Sequence, residues 1–150
     1  MNNKMSIIGI GKLGICLSLN LEKRGYEITG VDINEKYVNK INSKTLESDE
    51  PFVEDYLKNS KNFIATTDIE KSLLNKIIFI AVATSSLESG KYDHSQIENV
   101  INDILEFGPQ NEKKYLVINC TTMPTYCEKL QEKIKSYNYE ICYNPEFIAQ

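Results

Sequence analysis

Apolar positions change period repeatedly along this chain. Met5–Gly9 is a short apolar run, and Lys12–Lys23 then carries its apolar residues at helical spacing as far as Arg24-Gly25. Gly25 is suited to cap that helix in the left-handed conformation. Glu27–Ile33 predicts a second strand, and Asn34 a helix N-cap ahead of a helix reaching Ile41. The stretch 43–60 is less regular, polar and acidic at first, with a short helix predicted around Phe52–Leu57. Asn62–Thr66 predicts a third strand, followed by a turn of helix at Ile69–Leu74.

Ile77–Ala83 (IIFIAVA) is apolar without interruption, the pattern of a parallel strand covered on both faces. A polar loop at Thr84–Asp93 follows. Ser95–Phe107 then repeats Ile97, Val100, Ile101, Ile104 and Leu105 at helical spacing. Tyr115–Asn119 predicts another buried strand, Thr125–Ser136 another helix, and Tyr139–Tyr143 a last strand. Strands alternating with helices predict a single α/β domain, a doubly wound and mostly parallel six-stranded sheet with helices on both faces.

Composition narrows the classes of function. The chain has 150 residues, 41% hydrophobic and 25% charged, which is ordinary globular usage and fits one domain. A formal net charge of −4 is the wrong sign for a protein that grips nucleic acid. No apolar run approaches the roughly 18 residues of a membrane span. The stretch Ile7–Leu21 behind Lys4 could pass for a signal peptide, but glycines interrupt it and no small-residue cleavage site follows. A cytoplasmic protein is the expectation. Only Arg24 among the 17 basic residues is an arginine, so an absent arginine says little about binding.

The four cysteines, Cys16, Cys120, Cys127 and Cys142, contain no C-x-x-C pair, and a single histidine is present to help them. They predict free thiols in a reducing compartment and no metal site. His94, in the polar loop, is expected at the surface, and the acidic stretch Glu47–Glu50 as a solvated loop.

The chemistry concentrates in Gly9-Ile10-Gly11-Lys12-Leu13-Gly14, a G-x-G-x-x-G that follows a predicted strand and opens a predicted helix. Asp32 ends the second strand about 20 residues beyond the middle glycine, the spacing of a dinucleotide-binding unit. Gly9 permits the tight turn, Gly11 lets the backbone approach a pyrophosphate, and Gly14 lets the helix pack on the sheet. The helix N-terminus offers unpaired N–H groups to the phosphates. Asp32 would accept from the adenosine ribose hydroxyls and repel a 2′-phosphate, favouring NAD over NADP. Lys36 weakens that preference slightly. The expected architecture is therefore of Rossmann type.

Four further stretches extend the picture. SIIGIGKLG, EITGVDINEK, IIFIAVATS, and VINCTTMP with YNPEF resemble, in order, the N-terminal domain of the UDP-glucose/GDP-mannose dehydrogenase family. The resemblance covers essentially the whole chain, and its Asn-Pro-Glu-Phe element is more specific than the glycine loop. It implies oxidation of the C6 alcohol of a nucleotide sugar to a carboxylate with two NAD, UDP-glucose to UDP-glucuronate being the first choice, in polysaccharide biosynthesis. It also implies a central helix and a sugar-nucleotide domain beyond residue 150, a homodimer, and no turnover by this piece alone. The catalytic cysteine of the family lies in that further part.

Residue by residue, the resemblance assigns Gly9 to Gly14 to the pyrophosphate loop and Asp32 to the ribose. Tyr37 stands where the family often has Arg or Lys facing the adenosine. Val82 and Thr84 fall beside the cofactor, with Ser85 replacing the usual Pro. Cys120 and Thr121 occupy the family's Ser-Thr pair, Thr121 positioning water or alcohol near the nicotinamide. Glu146 matches an acid/base glutamate that also meets substrate, and Gln150 a second glutamate touching substrate and cofactor. A free-standing NAD-binding module without catalysis is the alternative.

Overall fold

The computed structural model describes residues 3–146. Six strands form one sheet: β1 (Lys4–Ile8), β2 (Glu27–Val31), β3 (Phe63–Thr66), β4 (Ile77–Ile80), β5 (Lys114–Ile118) and β6 (Tyr139–Tyr143). Their order is β3-β2-β1-β4-β5-β6, and every pairing is parallel rather than most of them. This is the doubly wound order, whose direction reverses between β1 and β4.

Helices cover both faces. On one lie α1 (Lys12–Lys23), α2 (Glu35–Asn42) and α3 (Val53–Asn59), around Ile7, Ile15, Leu19, Ile28, Val38 and Leu57. On the other lie α4 (Ile69–Leu73), α5 (Ser95–Phe107) and α6 (Tyr126–Ile134), around Ile8, Leu73, Ile80, Ile101, Leu116 and Ile134. Neighbouring Ile7 and Ile8 therefore bury into opposite layers, as strand alternation requires. The stretch Ile7–Leu21 runs from the end of β1 through most of α1, where Gly14, Ile15, Ser18 and Leu19 are buried.

Several boundaries differ from the sequence reading. β4 ends at Ile80, three residues early, although the apolar run continues. The Ala81 N–H still pairs with the Ile8 carbonyl at 2.8 Å, but from there the chain turns against Gly9 and Val82 packs on the core from a loop. β2 stops at Val31, with the Asp32 N–H on the Thr66 carbonyl at 3.1 Å. The polar loop after β4 folds on itself: Ser86 bridges Tyr92, and the Asp93 N–H reaches the Ser85 carbonyl at 2.8 Å. Thr125 is not helical but a left-handed residue (φ 64) ahead of α6, which ends in a 3-10 turn at Lys135–Tyr137. Gly25, at φ +94, closes α1 as its sequence position suggests.

Gly30 has a role that the sequence pattern hides. A Cβ there would stand 2.7 Å from Phe63 and 2.8 Å from Ile10. Only glycine lets β2 pass beneath the first turn of the phosphate loop.

Candidate cofactor-binding site

Between the carboxyl ends of β1 and β4 the sheet opens into a cleft of about 560 Å³. Open α/β sheets bind ligands at this reversal point. The glycine loop forms one wall. Gly9 has φ +88, and a Cβ on it would come within 2.8 Å of the Ala81 backbone. A Cβ on Gly14 would overlap the Gly9 carbonyl. Gly11 is different: a Cβ there would meet nothing within 4 Å, so internal packing does not demand glycine, and the residue lines the cleft.

The amino end of α1 has neither a side-chain cap nor an acidic residue in its first turn. In contrast, α2 is capped by Asn34, which accepts from the Tyr37 N–H at 3.1 Å, and α4 by Asp68. The exposed start of α1 therefore keeps its N–H groups and partial positive charge for an anion. Lys12 and Leu13 of the same turn line the cleft. Lys12 also faces Glu50, Nζ to Oε1 at 3.8 Å. Glu50 is half-buried, so the acidic loop is not wholly solvated.

Asp32 lines the cleft at the end of β2. Its Oδ1 accepts from the Asn34 N–H at 3.0 Å, which fixes the carboxylate and leaves Oδ2 without a hydrogen-bond partner among the described residues. Beside it Ile33 is 94% exposed. Lys36 is exposed on α2. Tyr37 turns inward, donating from its hydroxyl to the Ile10 carbonyl at 2.9 Å. Burial, reinforced by Asp32 and Cys16, pushes its phenol up to about 12, so it remains a donor. It is placed to brace the loop, and it does not line the cleft.

Of the other residues the sequence points to, Val82 lines the cleft, whereas Thr84, Cys120 and Thr121 do not. Cys120 is 6% exposed and its thiol donates to the Ile80 carbonyl at 3.3 Å. Burial raises that thiol to about 11, against the lowering effect of its backbone contacts. It has the character of a structural thiol, not of a nucleophile.

Thr121 is half-buried on the loop that leaves β5. The segment carrying Glu146 lies against the same strand end: the Glu146 N–H donates to the Asn119 carbonyl at 3.2 Å, and Asn119 Nδ2 to the Asn144 carbonyl at 3.0 Å. Asn119 is 2% exposed, and its Oδ1 has no partner. Gln150 lies outside the described residues.

His94 departs from its expected surface position. It is half-buried before α5, accepts from the Met123 N–H at 3.3 Å, and stacks on Tyr126 with ring centroids 3.8 Å apart. Tyr126 donates to Glu98 at 2.8 Å, and Lys133 to the same carboxylate at 3.0 Å. This network ties the loop after β5 to α5.

The sequence reading missed much of the cleft's lining: Thr67 and Ile69 at the start of α4, and Gln96, Asn99 and Asp103 on α5. The signal was the recurrence of those three polar residues at helical spacing beside the apolar stripe of α5. Among the described residues no group of three or more His, Cys, Asp or Glu could hold a metal ion. No helix among them is long and apolar enough to cross a membrane.

A reversal point with an uncapped helix, a glycine cradle and a strand-end carboxylate defines a dinucleotide-binding domain. The description "UDP-glucose/GDP-mannose dehydrogenase family, NAD binding domain" matches residues 3–150, and the chain belongs to that family. NAD is accordingly its cofactor, and the cradle, the free helix end and Asp32 fit it. The chain is 33% identical over 150 residues to a UDP-N-acetyl-D-mannosamine dehydrogenase of Methanococcus vannielii, covering 95% of this chain and 34% of the relative. A UDP-glucose 6-dehydrogenase of Rickettsia felis is 28% identical, with 97% and 34% covered. A crystal structure of a ternary complex of GDP-mannose dehydrogenase from Pseudomonas aeruginosa superposes with a TM-score of 0.86 at 26% identity, covering all of this chain and 37% of that one. The chain thus spans about a third of the length of these relatives.

Proposed function

We propose that this chain is the NAD-binding part of a nucleotide-sugar dehydrogenase that oxidises a C6 alcohol to a carboxylate. UDP-glucose is the first substrate to test, ahead of UDP-N-acetylmannosamine and GDP-mannose. The observation that carries the reading is the tie between Glu146 and Asn119, 3.2 Å from N–H to carbonyl. It ties the backbone of the exposed Glu146 to the end of the strand that leads to Thr121, which supports a shared role for the two residues.

In this reading each group has a limited task. The start of α1 and Gly11 receive the pyrophosphate, and Asp32 holds the ribose. NAD held by these residues would supply the hydride acceptor for the sugar carbon. The Thr121 hydroxyl orients an alcohol or water at the cleft mouth. Glu146 takes the proton from that water as general base. Cys120, protonated and buried, takes no part. The nucleophile and most sugar contacts belong to a further domain, so the 150-residue chain alone does not turn over.

Expression of the complete coding sequence with each of the three nucleotide sugars tests the proposal. Two NADH per sugar acid from one of them is expected, with a large loss of turnover in Glu146→Gln. One NADH per sugar, or undiminished turnover in that variant, contradicts it.

A further inference from the structure

Gln96, Asn99 and Asp103 recur at spacings of three and four along one flank of α5, and all three line the dinucleotide cleft. Among the described residues none of their side chains has a hydrogen bond or ion pair. Apolar side chains line the same cleft: Ile33, 94% exposed, together with Ile69 and Val82. The cleft thus combines an open isoleucine with an unpartnered polar helix flank. Together they suit a flat ring with apolar faces and a polar edge.

Asp32, next to Ile33, and the glycine loop beyond it fix the direction of a bound dinucleotide. Pyrophosphate at the loop and ribose at Asp32 leave the base to the space between Ile33 and α5. We propose that Asn99 and Asp103 read the amino edge of the adenine of NAD, Asp103 accepting from its exocyclic amine. The inference rests on the dinucleotide assignment of the cleft.

The chemistry selects adenine over other purines. A carboxylate only accepts, and adenine presents an N–H donor where hypoxanthine presents a carbonyl. Asn99 carries both a donor and an acceptor, the set that pairs with an adenine edge. Burial and the nearby Glu106 raise the Asp103 carboxyl above its ordinary value. A ligand amine is the donor this carboxylate lacks.

Calorimetric titration of the chain with NAD and with nicotinamide hypoxanthine dinucleotide tests this, using wild type, Asp103→Ala and Asn99→Ala. Circular dichroism checks that the variants fold. The wild type is expected to prefer NAD by about tenfold, the value of a hydrogen bond to a charged group at a partly open site. Asp103→Ala should lose most of that preference by weakening NAD alone, and Asn99→Ala part of it. Equal affinity of the wild type for both dinucleotides overturns the inference while the cofactor assignment stands. So does equal weakening of both by Asp103→Ala. Binding of neither dinucleotide to the wild type overturns the assignment of the cleft and the inference with it.

Discussion

The Tyr37 hydroxyl donates to the carbonyl oxygen of Ile10 across 2.9 Å, so the second helix braces the phosphate loop of the first. Replacing Tyr37 by Phe keeps the ring and removes one half-buried hydrogen bond. A loss of about 1 kcal/mol in urea unfolding is expected, with a few-fold weaker NAD affinity because the loop is less fixed. Unchanged affinity in titration would mean that the loop needs no brace.

The glycines of the loop should separate into two behaviours. Gly14→Ala drives a methyl into the Gly9 carbonyl and should cost about 2–3 kcal/mol of stability along with NAD binding. At Gly11 nothing lies within 4 Å of the added carbon, and the residue has an ordinary φ of −61. Gly11→Ala should therefore melt within a few degrees of wild type yet bind NAD at least tenfold more weakly. Thermal unfolding and titration of both variants check the contrast, and equal stability losses would refute it.

Thiol reactivity should follow position. Cys142 is exposed, Cys16 and Cys127 are half-buried, and Cys120 is buried. Burial raises the last to about 11 and holds it as the unreactive thiol. Timed iodoacetamide labelling read by mass spectrometry should modify Cys142 first and Cys120 last. Early modification of Cys120 would contradict its structural role.

The carboxylate of Glu98 yields a pH prediction. Burial opposes its charge, but the hydrogen bonds from Lys133 and Tyr126, with the charge of Lys133 and His94, outweigh that and hold it below its ordinary 4.5. A folded-state value below the unfolded one gives stability that is complete above about 4.5 and is lost as pH falls through the lower folded value. The stability advantage of wild type over Glu98→Gln should shrink as pH drops from 6 toward 3, as urea unfolding would measure. An advantage that grows on acidification would reverse the assignment.

Much of this architecture is legible in the sequence because it rests on local patterns. The apolar runs of β1, β4 and β5, the Gly25 cap and the spacing from the glycine loop to Asp32 all signal within a few residues or one repeat. What escapes depends on distant partners. His94 looks like a loop histidine until Met123, 29 residues on, meets its ring. Gly30 resembles any strand glycine until Phe63 and Ile10 close over it. β4 ends at Ile80 because the fold turns the chain against Gly9, not because the apolar pattern stops. The α5 lining of the cleft was readable as a periodic stripe, but only the fold brings that stripe into one cleft with Ile33, Thr67 and Ile69.

Titration calorimetry of the chain with NAD and NADP, in wild type and Asp32→Ala, tests the central claim most directly. Saturable NAD binding, weaker NADP binding and a marked loss of NAD affinity in the variant are predicted. NADP binding as tight as NAD, or an Asp32→Ala variant that binds NAD like wild type, would contradict the placement of the ribose at Asp32 and the reading of the cleft built on it.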